Sequence, residues 1–188
     1  VGVNHCIENP QEVLQINTDL IQNTIKWRLK CKSGKILFSS SSECYVASTD
    51  NFNYPVPTDE KVPLAISDIS HPRFTYAITK MLGESFFINF AKAYKFPITI
   101  VRYQNIFGPR MGFKHVIPHL VERFHFKENP FKIYGANQTR AFCYITDAAE
   151  GTVLAMESKK ANQQIFHIGS TSEITISELT KEVGKMMN

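Results

Sequence analysis

Apolar residues recur at helical spacing near the start of the chain. Val13, Ile16, Leu20 and Trp27 follow Asn9-Pro10, a capping side chain and a proline suited to the first helical position. The pattern predicts an amphipathic helix over 10–31, closed by Ser33-Gly34. The stretch Lys35-Ile36-Leu37-Phe38-Ser39 then reads as a short apolar strand of the kind buried in parallel sheets. Residues 46–72 are rich in Pro, Asp, Asn and Ser without a period, which predicts a long loop, and loops of that length are usually functional or disordered. Helical spacing resumes over 73–95, where Met81, Phe86, Phe87, Phe90 and Ala91 are expected to share a buried face. Pro97 breaks that helix, and Ile98-Thr99-Ile100-Val101 forms a second buried strand. Helix, strand, loop, helix, strand is the order of a doubly wound α/β sheet.

After Gly108-Pro109 the pattern changes. It predicts a helix near 116–127, short strands at 131–134 and 140–145, a helix from 147, a strand at 164–168 and a final helix from 176. With 188 residues and 43% hydrophobic content, the chain can hold one packed core or a domain plus part of another. Its 21 Lys and Arg against 17 Asp and Glu leave a net charge of +4, spread along the sequence. That distribution argues against nucleic acid as partner and suits an anionic small molecule. Cysteines at 6, 31, 44 and 143 lack the spacing of a zinc ribbon or redox motif, which points to a reducing cytoplasm. No apolar run is long enough to span a membrane. The chain opens at Val1 without an initiator Met, so a segment upstream of it is expected.

Tyr76 and Lys80 carry the chemistry. Four residues apart on a helix, they share one face. A free tyrosine ionises near pH 10, and a neighbouring ammonium is expected to favour the phenolate and make a general base. Such a pair arises readily by chance, so its context decides. The run Ser39-Ser40-Ser41-Ser42-Glu43 follows directly on a buried strand, at the carboxyl edge where α/β folds present reactive groups. Hydroxyls there need partners, and a polar turn leaving the strand is the alternative reading.

Several stretches carry a resemblance that spans essentially the whole chain. They are Ile36 to Tyr45 (ILFSSSSECY), Tyr76 to Glu84 (YAITKMLGE), Val101 to Arg110 (VRYQNIFGPR), Phe131 to Gly135 (FKIYG), Gln138 to Asp147 (QTRAFCYITD) and Ile174 to Leu179 (ITISEL). In that order they resemble the extended short-chain dehydrogenase/reductases, in the sugar-nucleotide epimerase and dehydratase branch that includes UDP-galactose 4-epimerase. The resemblance implies a partial Rossmann-like doubly wound parallel sheet over 1–108, holding the Tyr/Lys site. It implies part of a smaller α/β substrate lobe over 109–188, with a strand and helix returning to the main sheet.

The resemblance also implies roles. Ser41 would hydrogen-bond the reacting sugar hydroxyl, Tyr76 would be the base, and Lys80 its electrostatic partner and a ligand of the nicotinamide ribose of NAD. Asn17, Tyr103 and Gln104 match positions beside that cofactor. Asn105 matches a contact to the substrate diphosphate, Lys132, Ile133 and Tyr134 a strand along the nucleotide base, and Arg140 the arginine that clamps the diphosphate. Glu43 follows the pattern of the decarboxylases more than that of plain 4-epimerases, so NAD-dependent epimerisation by transient oxidation stands beside 4,6-dehydration or decarboxylation using Glu43. Helices 10–31 and 73–95 match a homodimer interface.

There are departures. The glycine-rich turn that cradles a dinucleotide pyrophosphate is absent from the chain, as are the first strands of the sheet that the resemblance implies. Val46-Ala47 replaces the usual glycine after the strand-loop tyrosine, and Ala141 stands where an aspartate follows the clamp arginine. These departures leave a non-catalytic scaffold of the same fold as a competing reading. His115, His119 and His125 lack further ligands in reach, so no metal is expected.

Overall fold

A computed structural model describes residues 2–32 and 34–187; Val1, Ser33 and Asn188 lie outside the described residues, and with Ser33 part of the expected Ser33-Gly34 helix stop. The chain divides into two units, one of residues 1–103 with 149–168, the other of 104–148 with 169–188.

The first unit is built on a parallel sheet. Helices α1 (Val3–Glu8) and α2 (Pro10–Cys31) lead to strand β1 (Ile36–Ser41), the short helix α3 (Val46–Asp50), helix α4 (Thr75–Tyr94) and strand β2 (Ile98–Tyr103). Helix α6 (Ile145–Glu157), from Ala149 onward, and strand β6 (Gln164–Ile168) complete it. The strand order is β1-β2-β6, with Ile36 opposite Ile98, Ser41 opposite Tyr103 and Tyr103 opposite Ile168. Central β2 is buried on both faces, which is why its sequence runs apolar without alternating. Ile98 and Ile100 join Ile36, Ile21, Ile25, Phe87 and Ala91 in one core, so α2 and α4 cover that face of the sheet. Each such aliphatic side chain contributes about 1.5–3 kcal/mol on burial. The intervening Thr99 is fully buried and donates its hydroxyl to Ala161 O at 2.7 Å, which satisfies the only polar atom of its side chain.

Helix α2 has the predicted bounds but turns a different stripe inward. Val13, Ile21, Ile25 and Arg28 are buried, whereas Ile16, Leu20 and Trp27 are about half exposed or more. Asn9 does not cap the helix with its side chain; its amide lies 3.4 Å from His5 Nδ1 instead. The inward stripe includes polar positions: Asn17 bonds Thr79, and Arg28 stacks over Phe96 at 4.7 Å. A search for apolar periodicity therefore selects the wrong face. In α4, Phe87 and Ala91 are buried as expected, while Met81, Phe86 and Phe90 are half-buried. Gly83 marks the place where α4 meets β1, since a Cβ there would overlap the Phe38 ring. That ring packs tilted against Phe87, 4.8 Å between centroids, and has the Lys80 ammonium 5.3 Å from its own centroid. Gly83→Ala is expected to cost about 1–3 kcal/mol by overpacking, read from urea denaturation of the full-length protein; a variant as stable as its parent would mean that the ring moves freely.

The second unit contains β3 (Ile106–Phe107) paired with β5 (Cys143–Tyr144), and β4 (Thr139–Ala141) paired antiparallel with β7 (Glu173–Thr175). Helices α5 (Val116–His125) and α7 (Ile176–Met187) pack through Leu120, Leu179 and Val183. The strand expected at 131–134 does not form. Phe131 is drawn onto Phe124, 4.3 Å between ring centroids, and the Lys132 carbonyl accepts from Arg123 Nη2 at 2.6 Å, which removes it from any ladder. Pro130 immediately before contributes no backbone donor either.

The expected loop over 46–72 begins with α3, and its remainder is an anchored strap. Tyr54 N bonds Ser48 O at 2.9 Å, Ala65 N bonds Cys44 O at 3.1 Å, and the Ser48 hydroxyl donates to Pro63 O. The strap's own Val62 is buried.

Candidate active site

Alternation along β1 sorts its three serines. Ser40 points into the core, 2% exposed, and donates to Glu84 Oε1 at 2.5 Å. Ser41, one residue further on, meets the first turn of α4 at Tyr76. The Ser41 Oγ accepts the Glu43 N–H at 3.2 Å, starting the 3-10 turn Ser42–Tyr45, and its hydroxyl is near enough to the Tyr76 phenol to favour the phenolate. Lys80 Nζ donates to Ser39 O at 2.8 Å and stands 5.4 Å from the centre of the Tyr76 ring. Ser41, Tyr76 and Lys80 therefore meet where the strand ends against the first turns of α4. The helical spacing supplies the Tyr/Lys pair, and parallel pairing brings the strand end to it.

The expected lowering of the Tyr76 pKa does not arise in this chain. Burial raises it above the ordinary tyrosine value; the Ser41 hydrogen bond opposes that rise, and Cys44, Glu43 and Cys6 add to it. Burial also lowers the pKa of Lys80, whose ammonium bonds a carbonyl and not the phenol. Ser41 is thus the group that favours the phenolate, since its O–H donates to the anion. Glu43 stands beside this cluster with Oε2 3.6 Å from Arg73 Nη1.

A cavity of about 260 Å³ opens next to Lys80, bounded by Asn17, Leu20, Phe38, Ser39 and Thr79. Asn17 Nδ2 donates to Thr79 Oγ1 at 2.9 Å, so both side chains are fixed in its wall. An apolar cavity with a few convergent polar groups suits a planar heterocycle and a ribose. Its residues fit the nicotinamide end of NAD, with Lys80 and Asn17 as the groups that would hold it. Its volume is below that needed for a whole dinucleotide. Tyr103 is placed at the end of β2 with its hydroxyl 2.7 Å from Thr152 Oγ1.

Sequence reasoning missed the polar network beneath this site. Glu84 and Arg102, each 3% exposed, form a two-pronged pair, with Nε to Oε1 at 2.9 Å and Nη2 to Oε2 at 2.8 Å. Burial weakens the Arg102 cation, but the hydrogen bonds and charge of Glu84 more than offset this and raise its pKa. Arg102 Nη1 also donates to Glu60 O at 3.2 Å, and Glu60 Oε1 accepts the His167 N–H at 3.1 Å. His167 holds Thr58 O through Nδ1 at 3.2 Å and stacks on Tyr45, 5.1 Å between ring centroids. The network joins the serine strand, the core of α4, β6 and the strap. The available signal was an acid between Met81-Leu82 and Phe86-Phe87 in α4 and a basic residue directly after Ile100-Val101 in β2.

In the second unit, Asn105 adopts a left-handed backbone, φ 43°, and its amide donates to Ala141 O at 3.0 Å. The Gln104 side chain packs where a Cβ on Gly169 would stand. Arg140 is exposed, bonds Thr139 O at 2.7 Å and makes no ion pair among the described residues. Ile133 and Tyr134 are also exposed. No cluster of three or more His, Cys, Asp or Glu suited to a metal occurs among the described residues, and no helix there is long and apolar enough to cross a membrane.

The chain has recognisable relatives among known proteins. Residues 1–169 match the model of the NAD dependent epimerase/dehydratase family. Among curated proteins, the chain is 35% identical over 190 residues to a UDP-N-acetyl-alpha-D-glucosaminuronate decarboxylase from Bacillus cytotoxicus, covering 99% of this chain and 56% of that protein. Among solved structures, it superposes with a TM-score of 0.82 on a UDP-N-acetylglucosamine 4-epimerase from Methanobrevibacter ruminantium M1 in complex with UDP-N-acetylmuramic acid, at 25% identity over 96% of this chain and 56% of that one. It superposes with a TM-score of 0.77 on the UDP-glucuronic acid 4-epimerase from Bacillus cereus in complex with NAD, at 26% identity over 90% and 52%. The chain spans about half the length of the curated relatives it matches.

Proposed function

This chain belongs to the NAD-dependent epimerase/dehydratase family, and from that premise we propose that it carries the reacting centre of an enzyme acting on a nucleotide-diphosphate sugar. The reaction is epimerisation by transient oxidation of a ring hydroxyl. The observation that carries this reading is the meeting of Ser41, Tyr76 and Lys80 at the end of β1. Ser41 orients the sugar hydroxyl, and Tyr76 takes its proton. Lys80 and Asn17 hold the nicotinamide end of the cofactor. Bound NAD supplies hydride acceptance from the sugar carbon and hydride return. The half-buried setting of Tyr76 and Ser41 limits water at the reacting atoms.

Asn105, Arg140 and the segment Lys132, Ile133 and Tyr134 are assigned to the nucleotide diphosphate on the strength of the family resemblance. The open guanidinium of Arg140 supports its part. Gln104 and Tyr103 are assigned beside the cofactor on the same ground. A homodimer through α2 and α4 is supported by exposed Leu14, Leu20 and Trp27 on the first helix and Ile88 and Tyr94 on the second.

A second reading, decarboxylation or dehydration with Glu43 as acid or base, is favoured by the position of that carboxylate beside Ser41 and Tyr76. Incubating the full-length protein and NAD with a panel of UDP-sugars and resolving the products tests both. An inverted sugar supports the epimerase, whereas released carbon dioxide or a 4-keto-6-deoxy sugar supports the second reading. Recovery of every sugar unchanged favours the scaffold.

A further inference from the structure

A second cation stands at this site besides Lys80, and none of the roles above uses it. Arg73 lies in the 3-10 turn Pro72–Phe74, three positions ahead of Tyr76. The turn is braced from both ends. His71 Nδ1 accepts the Arg73 N–H at 3.2 Å, and the Thr75 hydroxyl donates to Pro72 O at 2.9 Å. From this base the guanidinium passes over the Phe74 ring, 5.1 Å from its centroid, and reaches Glu43. The closest approach of 3.6 Å is too long for a direct hydrogen bond, and the two side chains remain 33% and 39% exposed. An exposed pair of this kind holds weakly. Arg73 makes no other ion pair among the described residues. Two opposite charges are therefore kept beside the reacting groups in a pairing that is open to exchange.

We propose that Arg73 binds a carboxylate of the substrate, so that the site takes nucleotide-diphosphate uronic acids. The inference rests on the reading of Ser41 and Tyr76 as the place where a sugar hydroxyl is oxidised. In a pyranuronic acid the carboxylate is attached to C5, the neighbour of the carbon bearing the 4-hydroxyl. When that hydroxyl is held by Ser41 and Tyr76, the carboxylate falls in the neighbourhood of Glu43, whose N–H is bonded to Ser41 Oγ at 3.2 Å. Two carboxylates so close repel each other unless a cation lies between them. Arg73 is already at Glu43, and its planar fork can accept a carboxylate in a two-pronged contact that an ammonium cannot match. The incoming carboxylate takes the place of Glu43 on Arg73 and releases Glu43 towards the sugar. A neutral hydroxymethyl group offers Arg73 no such exchange.

Calorimetric titration of the full-length protein with NAD, using UDP-glucuronate and UDP-glucose as probes, tests the proposal. The unaltered protein is expected to prefer UDP-glucuronate. Arg73→Gln is expected to weaken that ligand about tenfold or more, as loss of a hydrogen bond to a charged group does, with UDP-glucose left nearly unchanged. Arg73→Lys should recover part of the loss, and matching circular dichroism spectra exclude misfolding of this surface-accessible position. Equal weakening of both ligands, or of neither, overturns the assignment. If neither nucleotide sugar binds the unaltered protein, the reading of Ser41 and Tyr76 itself falls, and the assignment with it.

Discussion

Tyr76→Phe in the full-length protein is expected to lower turnover by about 10²–10⁴-fold, the range of a lost general base, while affinity for the nucleotide sugar is kept. The substitution removes one oxygen from a side chain whose ring stays wedged between Lys80 and the strand end. Steady-state kinetics with a direct binding measurement separates the two effects, and full activity in the variant would end the assignment of Tyr76 as base. The unaltered protein adds a second readout. Burial holds the phenol above the ordinary value of about 10, so its phenolate absorbance should develop later on alkaline titration than that of a free tyrosine. The sign for stability follows. A group protonated more readily in the folded state contributes fully below its unfolded pKa, and that contribution is lost as pH rises through the folded value. Turnover, which requires the deprotonated form, should therefore rise with pH over the range in which this contribution to stability begins to fall.

Removing either half of the buried pair is expected to have the largest effect on stability. Glu84→Ala leaves the Arg102 guanidinium, 3% exposed, with a backbone carbonyl as its remaining partner. Arg102→Ala leaves a buried carboxylate with the Ser40 hydroxyl alone. Breaking a buried pair from one side costs about 3–5 kcal/mol. The double replacement Glu84→Leu with Arg102→Met should cost much less than either single change, because no charge is then left without its counterpart. Chemical denaturation of the full-length proteins measures all three. Single variants within about 0.5 kcal/mol of the parent, the range of ordinary surface changes, would mean that the pair is incidental to the fold.

The strands and main helices were legible because their signals are local and redundant. Ile98 to Val101 is apolar without alternation, and a fully buried parallel strand calls for that pattern. The Tyr76/Lys80 face follows from helix geometry alone. The inward face of α2 was not legible, because Asn17 and Arg28 lie on it and Leu20 and Trp27 lie off it. Tertiary partners such as Thr79 and Phe96 satisfy polar groups that periodicity counts as outward. The raised pKa of Tyr76 was hidden for a related reason. Spacing reports that Lys80 is near but says nothing of how much water the ring has lost, and here that loss prevails. The strand at 131–134 failed because partners on the preceding helix claim it: Arg123 takes the Lys132 carbonyl and Phe124 takes the Phe131 ring. Glu84 and Arg102 are 18 positions apart, and only the packing of α4 against β2 makes them neighbours.

The strap over 51–71 is stitched mostly through its main chain: the carbonyls of Thr58, Glu60 and Pro63, and the amides of Tyr54 and Ala65. A path defined by peptide groups constrains few side chains, and Phe52, Val56 and Ile69 point freely outward from it. This segment can therefore change its outer lettering from one protein to the next while Arg102 and His167 hold its course. Sequence drift here is a poor guide to whether the underlying shape has been kept.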